Sequence, residues 1–341
     1  REGFLVERIG IRLPNPIGDV VAATPLIRLL KQRNPEDRIV LIGSAKAIEL
    51  LDGLDTWHEA EALEETPHHG KLSAWEEGTF LKKLLLDKIY LLPNSFSSAF
   101  AAMRAGIPKR VGRKTLARHF LLTRRLPKVG EPRPMSRVYS EIVGEVQPPK
   151  IELACTERGD RLARETLEAL APHGIQPPFL AVAPGAAFGP SKVYPIELMA
   201  RAVRLSEKKT GLQPVYFGAP NESELIRSVK ALHPAPFLHS SLTEMKSLLK
   251  ECEVLLCMDS GARHIAAALD VPQVILYGPT NPRWTNFEQE MTVALRLEDL
   301  PCSPCHKKVC PTDHACMRNL TPEEIAEAVE TARQKAIILS F

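Results

Sequence analysis

The chain has 341 residues and a formal net charge of +3, with 44% hydrophobic and 25% charged residues. This composition is typical of an ordinary globular protein, and so small a net charge gives no support to a nucleic-acid-binding protein. The length predicts two domains of roughly 150 residues each. No apolar run approaches the roughly 18–20 residues that span a bilayer and no signal-peptide pattern opens the chain, so we expect a cytoplasmic protein, with attachment to a membrane surface left open.

The first half of the chain alternates apolar runs with helical patterns. An apolar run over residues 4–13 leads through Pro16, Gly18 and Asp19 into a helical pattern over 20–30. Strand, helix, strand and helix then follow over residues 38–42, 45–51, 88–92 and 97–104. This alternation predicts parallel strands with helical crossovers, the doubly wound α/β class.

Residues 109–137 are rich in Lys and Arg, and we expect them to be mostly loop. Such a run is usually a solvated surface. Here it follows strand ends, where its cations could bind phosphates or carboxylates of an acceptor. It contains few aromatic residues, so base stacking with single-stranded nucleic acid is not supported. Prolines at 148, 149, 172, 177 and 178 flank a helical pattern over 156–170, which predicts domains over residues 1–172 and 173–341.

The second half repeats this alternation of strands and helices. Strands are expected at 179–183, 214–217, 254–257 and 274–277, with a short segment at 237–239 and helices at 196–209, 223–232, 243–250 and 321–335. The last helix begins with the capping-box pattern Thr321 to Glu324, and it either closes the second domain or reaches back to the first. Each loop after a strand lies at a carboxyl end, so the loops share one edge of the sheet, where α/β proteins bind ligands.

Asp259, Ser260, Gly261 and His264 lie where a buried strand runs into a helix. Backbone N–H groups of Ser260 and Gly261 at a helix start attract a phosphate, Asp259 could accept from a sugar hydroxyl, and His264 could donate to the phosphate. The competing interpretation is ordinary helix capping with a packed histidine.

Two further loops of the second half carry charged candidates. Gly185 and Gly189 precede Lys192, a flexible turn that ends in a point charge suited to a diphosphate, although a solvated lysine fits equally well. Glu222 follows the next strand, where an acidic side chain commonly accepts from ribose hydroxyls or simply stabilises a helix start.

Asp19 is the candidate general base. It follows Gly18 on the first loop of the first domain, and a helix terminus beside it would keep its carboxylate ionised at neutral pH. An ionised Asp can take a proton from an acceptor hydroxyl as that oxygen attacks. A plain helix cap is the alternative.

Taken together, these stretches resemble the ADP-heptose:lipopolysaccharide heptosyltransferases of glycosyltransferase family nine. The matching pieces are Arg12 to Asn15 with Gly18-Asp19 and Ala23 to Pro25, Pro184 to Ala186 with Phe188 to Lys192, Asp259 to Gly261 with His264 and Ala266 to Ala268, Tyr277 to Thr280, and Pro301 to Cys305 with Cys310-Pro311 and Cys316-Met317. The resemblance implies a GT-B fold, with two Rossmann-like domains facing a central cleft. It also implies no required cofactor.

By the same resemblance, ADP-heptose is the donor substrate and the second domain holds it. Lys192 and His264 would lie near the diphosphate, Glu222 at the ribose, Asp259 at the sugar, and Ser260 and Gly261 would offer N–H groups. The first domain would receive the lipopolysaccharide inner core, with Asp19 as base of an inverting transfer and Arg110 and Arg113 as acceptor contacts. Such an enzyme would work in peripheral contact with the inner membrane surface.

The sequence departs from the family pattern at a few positions. Pro16 stands where an aromatic residue is common, Val193-Tyr194 replaces Arg-Trp, and Met258 stands where Asn is frequent. None of these changes removes a proposed catalytic group. They bear on the identity of the donor and the acceptor.

Four cysteines crowd into one Pro-rich segment: Cys302, Cys305, Cys310 and Cys316. They could form a zinc site, because a cytoplasmic setting argues against disulfides. Their spacing matches no common zinc motif, and the resemblance implies no metal. The alternative is a packed or redox-labile loop.

Three functions therefore compete. The first is heptose transfer from ADP-heptose, and the second is a transfer within the same family that uses another nucleotide sugar or acceptor. The third is a non-catalytic nucleotide- or glycan-binding protein of the same fold, against which the presence of Asp19 and Lys192 counts.

Overall fold

The computed structural model describes residues 6–63, 73–115, 117–285, 287 and 289–339. Contacts divide the chain into two compact units, Arg1–Leu153 and Ala154–Phe341. Part of the predicted first strand, residues 4 and 5, lies outside the described residues. No helix of the described ranges is long and apolar enough to cross a membrane.

The first unit is built on a parallel sheet. Its strands are β1 (Arg8–Arg12), β2 (Arg38–Gly43), β3 (Glu59–Ala62), β4 (Lys88–Leu91), β5 (Lys109–Arg113) and β6 (Arg124–Leu126). Its helices are α1 (Ile17–Ala22), α2 (Thr24–Arg33), α3 (Ala45–Leu51), α4 (Ala74–Lys83), α5 (Phe96–Arg104) and α6 (Met135–Ser140). The strands lie in the order β3-β2-β1-β4-β5-β6, the doubly wound order that predicts a ligand site between the ends of β1 and β4.

The second unit repeats this plan. Its strands are β7 (Phe179–Ala183), β8 (Gln213–Phe217), β9 (Phe237–Leu238), β10 (Cys252–Met258), β11 (Gln273–Leu276) and β12 (Thr292–Leu295). Its helices are α7 (Glu157–Leu170), α8 (Ile196–Thr210), α9 (Ser223–Leu232), α10 (Leu242–Lys250), α11 (Gly261–Ala268), α12 (Ala315–Arg318) and α13 (Pro322–Leu339). Its strands lie in the order β9-β8-β7-β10-β11-β12, which is the order of the first sheet, and the switch point lies between β7 and β10. The predicted doubly wound architecture is confirmed in both units.

Each unit has its own apolar core. In the first, strand residues such as Val40, Ile89 and Leu91 pack with small residues of α5. In the second, Leu180 and Leu256 pack with residues of α8 and α13. Burial of each such side chain contributes about 1.5–3 kcal/mol, which fixes the strand ends that carry the polar loops.

The division between the units differs from the predicted boundary after residue 172. Helix α7 packs on α10 of the second unit, where the Ser247 hydroxyl donates to the Asp160 carboxylate at 2.7 Å. A Cβ at Gly159 would lie 2.6 Å from the Thr243 carbonyl oxygen, so the two helices approach closely. Helix α7 therefore belongs to the second unit.

The elements that the sequence did not predict are the edge strands β3, β6 and β12, the inner strand β5, and helices α4, α6 and α12. Strand β3 reads Glu-Ala-Glu-Ala and β12 is only partly buried, so neither carries the continuous apolar run of a central strand. Helix α4 begins at a capping box formed by Ser73 and Glu76. The capping box predicted at Thr321 and Glu324 is confirmed, and α13 packs on α8 within the second unit.

Two predictions for the first unit are corrected. The helix expected over residues 20–30 is two helices, because Pro25 lacks an N–H and restarts the chain at α2. The basic region expected to be loop contains β5 and β6, which extend the parallel sheet beyond β4.

Candidate active site

At the switch point of the second sheet, a lysine and an aspartate meet. Lys192 ends a 3₁₀ turn, Pro190–Lys192, in the loop after β7, and Asp259 directly follows β10. The Lys192 ammonium donates to the Asp259 side chain at 2.7 Å and to its backbone carbonyl at 2.8 Å. It also lies 5.0 Å from the centre of the Phe188 ring. Two adjacent parallel strands thus deliver the two candidates to one point.

The electrostatics of the pair keep Asp259 charged. Burial acts to raise the pKa of Asp259, but the Lys192 ammonium outweighs it and the pKa is lowered. The Thr280 hydroxyl donates to the same carboxylate oxygen, Oδ2, at 2.7 Å. The other oxygen, Oδ1, is buried without a partner among the described residues. A Lys ammonium has three donors, so the pair keeps one donor and one acceptor for a ligand.

Helix α11 begins beside this pair. Ser260 is its N-cap and makes no capping bond with its side chain, and Gly261 is its first residue. The first N–H groups of a helix have no partner within the helix, so they point at the space before it. Burial lowers the pKa of His264 to about 3, with the Arg263 charge adding to the effect. The imidazole is therefore neutral at pH 7 and can supply one N–H, but no charge.

Glu222 follows β8, and its carboxylate lies against the loop after the neighbouring strand β7. It ends a 3₁₀ turn, Pro220–Glu222, and its carboxylate accepts from the Ala219 N–H at 2.8 Å. A Cβ at Gly185 would lie 2.2 Å from a Glu222 carboxylate oxygen. Glycine at 185 is therefore what allows the carboxylate to lie against the loop that leads to Lys192.

A second contact to that loop comes from the Cys-rich segment, which we define as residues 301–317. Ser191 donates from its N–H to the Lys308 carbonyl at 3.1 Å and from its hydroxyl to the Lys307 carbonyl at 2.6 Å. Gly189 has φ of 149°, and a Cβ there would lie 2.7 Å from the Lys308 oxygen. Only glycine fits this backbone position, so the close contact between the Lys192 loop and the Cys-rich segment depends on Gly189.

The same segment holds the loop after β11. The His306 N–H donates to the Pro279 carbonyl at 2.8 Å, and the Ser303 hydroxyl donates to the Gly278 carbonyl at 2.9 Å. His314 donates from Nε2 to the Ser191 carbonyl at 2.7 Å. The Cys-rich segment therefore fixes two of the loops that frame the Lys192–Asp259 pair.

The four clustered thiols are unequal. Cys316 is buried, and burial raises its pKa to about 11, with the charges of Cys310, Cys302 and Cys305 adding to the effect. A hydrogen bond with Thr312 lowers the pKa of Cys310. No three His, Cys, Asp or Glu side chains in the described ranges are arranged to hold a metal ion, so the structure gives the zinc hypothesis no support.

In the first unit, Asp19 is the third residue of α1, so it lies in the first turn of the helix and not in the loop predicted from the sequence. Burial raises its pKa from 3.8 to about 6. Burial also raises the pKa of the Tyr139 phenol, and the Asp19 charge adds to that effect. The sequence suggested that the helix terminus governs the ionisation of Asp19, whereas burial sets the value. At pH 7 the carboxylate is still ionised by roughly ten to one, and a pKa this close to neutrality suits a general base.

The two arginines expected to contact the acceptor are engaged within their own unit. Arg113 donates to the Glu141 carboxylate at 2.5 Å and to the Pro127 and Val138 carbonyls. Arg110 donates to carbonyls at 2.6 and 2.7 Å, and burial lowers its pKa. Their role at the acceptor stays a prediction, and it would require these bonds to be shared or broken.

Sequence reasoning gave no role to two residues that organise the loops. Thr280 stands in a matching motif at a strand end, which was the available signal, and it orients Asp259. Arg118 is fully buried and donates to the Arg113, Pro93 and Ser95 carbonyls. It thereby ties the loop after β5 to the loop after β4, and burial lowers its pKa to about 10. No sequence signal separates such an arginine from its exposed neighbours.

The model of glycosyltransferase family 9 (heptosyltransferase) matches residues 79–316, more than half of the chain. Lipopolysaccharide heptosyltransferase 2 of Escherichia coli (strain K12) is 28% identical over 298 residues, 80% of this chain and 83% of that protein. Lipopolysaccharide heptosyltransferase 2 of Salmonella typhimurium (strain LT2) is 29% identical over 348 residues, 93% of this chain and 96% of that protein.

Solved structures agree with the sequence comparisons. The structure of E. coli ADP-heptose lps heptosyltransferase II superposes with a TM-score of 0.78 at 25% identity, covering 97% of this chain and 99% of that one. The predicted GT-B fold class is confirmed by this match and by the two parallel sheets. The chain belongs to glycosyltransferase family 9, the heptosyltransferases.

Proposed function

We propose that the protein acts in lipopolysaccharide core biosynthesis, moving L-glycero-D-manno-heptose from ADP-heptose to an inner-core acceptor with inversion. The observation that carries the proposal is the Lys192–Asp259 pair at the switch point of the second sheet. Its unused ammonium N–H and the unpartnered Asp259 Oδ1 match a phosphate oxygen and a sugar hydroxyl. The names of the similar proteins agree with this choice.

The donor roles follow from the chemistry of each group. Lys192 would offset the charge that develops on the leaving diphosphate, since it is a point charge held in a buried site. The N–H groups that open α11 at Ser260 and Gly261 would bind the same phosphates. His264 would add a hydrogen bond, Asp259 would orient the heptose, and Glu222 would accept from the ribose.

The acceptor step uses Asp19. The acceptor hydroxyl oxygen attacks the anomeric carbon, the bond from that carbon to the diphosphate oxygen breaks, and the hydroxyl proton passes to the Asp19 carboxylate. One displacement of this kind inverts the anomeric centre, and ADP leaves. No cofactor is required for the step, because the nucleotide leaving group is already activated. The site of action would be the inner face of the cytoplasmic membrane, where the chain meets a lipid-borne acceptor.

The test is ADP release from ADP-L-glycero-D-manno-heptose in the presence and absence of a heptosylated inner-core acceptor. The expected result is acceptor-dependent release, with the opposite anomeric configuration in the product by NMR. A panel of other nucleotide sugars and acceptors serves as the control for specificity. Faster transfer from another donor would replace ADP-heptose, and ADP binding without any transfer would favour the non-catalytic binding protein.

A further inference from the structure

Helix α5 exposes its large side chains and buries its small ones. Ala99, Ala101 and Ala102 face the core of the first unit. Phe96 is 45% exposed and Met103 is 38% exposed, with the partly buried Phe100 between them. Their spacing of four and three residues puts them on one face of the helix. Phe100 also packs against the core, but core packing gives no reason for the exposed Phe96.

A second element completes the exposed surface. Phe120, in the 3₁₀ turn His119–Leu121, is 61% exposed. Its ring centre lies 6.4 Å from that of Phe96, and the Phe96 and Phe100 rings stack at 6.0 Å. We call Phe96, Phe100 and Phe120 the aromatic cluster. A contiguous apolar patch of this kind on a surface marks an interaction site.

The charge of the chain segment that carries the aromatic cluster has one sign. Residues 88–130 include ten Lys and Arg residues and no Asp or Glu. Several of these cations are bonded within the unit, but Lys114 and Lys128 are exposed and form no ion pair with a described carboxylate. We call Lys114 and Lys128 the basic rim. A partner for this surface must be anionic.

The aromatic cluster and the basic rim share one edge of the first sheet. Lys114 directly follows β5, Lys128 lies two residues beyond β6, and Phe96 begins α5 after the loop that leaves β4. These strands are parallel, so their carboxyl ends meet at the same edge, which also carries Asp19 after β1. The candidate base and the exposed aromatic residues are thus on the same side of the first unit.

We propose that this edge docks on an anionic lipid bilayer, with Phe96 and Phe120 among the head groups and Lys114 and Lys128 against their negative charge. Exposed aromatic residues beside unpaired cations are the combination that binds an anionic membrane interface. The proposal deepens the proposed function and rests on it in one respect, since a lipid-borne acceptor would then be presented at the edge that holds Asp19.

The test is co-sedimentation of the full chain with vesicles of phosphatidylcholine alone or with 30% phosphatidylglycerol. The wild type should bind the anionic vesicles, and the bound fraction should fall at high salt. Lys114→Glu with Lys128→Glu should lower the partition coefficient roughly 20-fold or more, since each lysine near the surface supplies about a fivefold gain. Phe96→Ser with Phe120→Ser should lower it about tenfold.

Matched controls are available on surfaces outside the patch. Val146→Ser removes a residue that is 65% exposed, and Lys208→Glu with Lys335→Glu changes the net charge equally at exposed positions of the second unit. Both should bind vesicles like the wild type. Equal loss in the controls, or no binding by the wild type, would overturn the proposal. So would equal wild-type binding to neutral and anionic vesicles.

Transfer to a fully deacylated, soluble acceptor separates this proposal from the proposed function. If both hold, the Phe96→Ser/Phe120→Ser variant keeps wild-type transfer to the soluble acceptor and loses transfer to the vesicle-embedded one. If the wild type binds vesicles but transfers no sugar to either acceptor, the docking proposal stands and the proposed function is wrong. If the basic-rim variant binds vesicles normally but has a higher KM for the soluble acceptor, the surface is an acceptor site rather than a membrane site.

Discussion

Each unit has a carboxylate whose pKa is affected by burial, and the two carboxylates differ in the charged and polar groups around them. Asp19 in the first unit has its pKa raised to about 6 by burial, with no compensating cation. Asp259 in the second unit is also buried, yet Lys192 lowers its pKa, and Thr280 donates to it. Both follow a central strand of a sheet with the same strand order.

The difference separates a proton acceptor from a fixed charge. A carboxylate with a raised pKa takes up a proton readily, whereas a paired one stays ionised and orients other groups. The same fold thus gives one residue type two different ionisation properties through its neighbours, and these fit the two proposed roles. Variants that exchange or remove those neighbours test the assignment.

The largest effect is expected from Asp19→Asn. The amide cannot accept the acceptor proton, so kcat should fall about 10²–10⁴-fold while ADP affinity by calorimetry stays at the wild-type value. Glu36→Gln, an exposed carboxylate of the same unit, is the control. Lost ADP affinity would mean that Asp19 is structural. In the wild type, kcat/KM should decline tenfold per pH unit below about pH 6, following the pKa of Asp19.

Lys192→Met should give Asp259 an environment like that of Asp19. The variant leaves a buried carboxylate without its cation, which should cost about 3–5 kcal/mol of unfolding free energy, measured by denaturant titration. Adding Asp259→Asn should recover part of the loss, because the unpaired charge is then gone. A single variant as stable as the wild type would mean that the pair contributes nothing to the second unit.

A smaller effect is expected in the pH dependence of stability. Because the folded-state pKa of Asp19 is above its unfolded value, its protonation stabilises the fold below about pH 4, and this contribution is lost as pH rises through about 6. Between pH 4 and pH 7, Asp19→Asn should therefore gain up to roughly 3 kcal/mol relative to the wild type. Thermal unfolding at both pH values measures the gain, and a constant difference would contradict the raised pKa.

The smallest effect is expected from Thr280→Val. The change removes the hydroxyl that orients Asp259 and should cost about 1 kcal/mol, seen as a roughly fivefold higher KM for the donor with kcat nearly unchanged. Thr331→Val, at an exposed position whose hydroxyl donates to the Glu327 carbonyl within α13, is the matched control. A lower kcat at constant KM would place Thr280 in the chemical step instead.

The central strands and the loop residues could be predicted from the sequence, because continuous apolar runs end in Gly, Asp or Lys at the same edge. The contact between Lys192 and Asp259 could not, since it depends on β7 and β10 being neighbours although 67 residues separate the two side chains. The engagement of Arg113 by Glu141 is similarly non-local. Composition shows that a region is basic, but it does not show which of its cations are already paired.

The contacts of the Cys-rich segment affect the order in which parts of the protein can fold during synthesis. Ser191 emerges from the ribosome 116 residues before Lys307, whose carbonyl accepts from it. Domains fold from the amino end as they are made, so the first unit can complete its sheet while the lysine loop is still unsupported. The loop that carries Lys192 therefore gains this support only after residue 307 has been made, when the whole first unit is already available to fold.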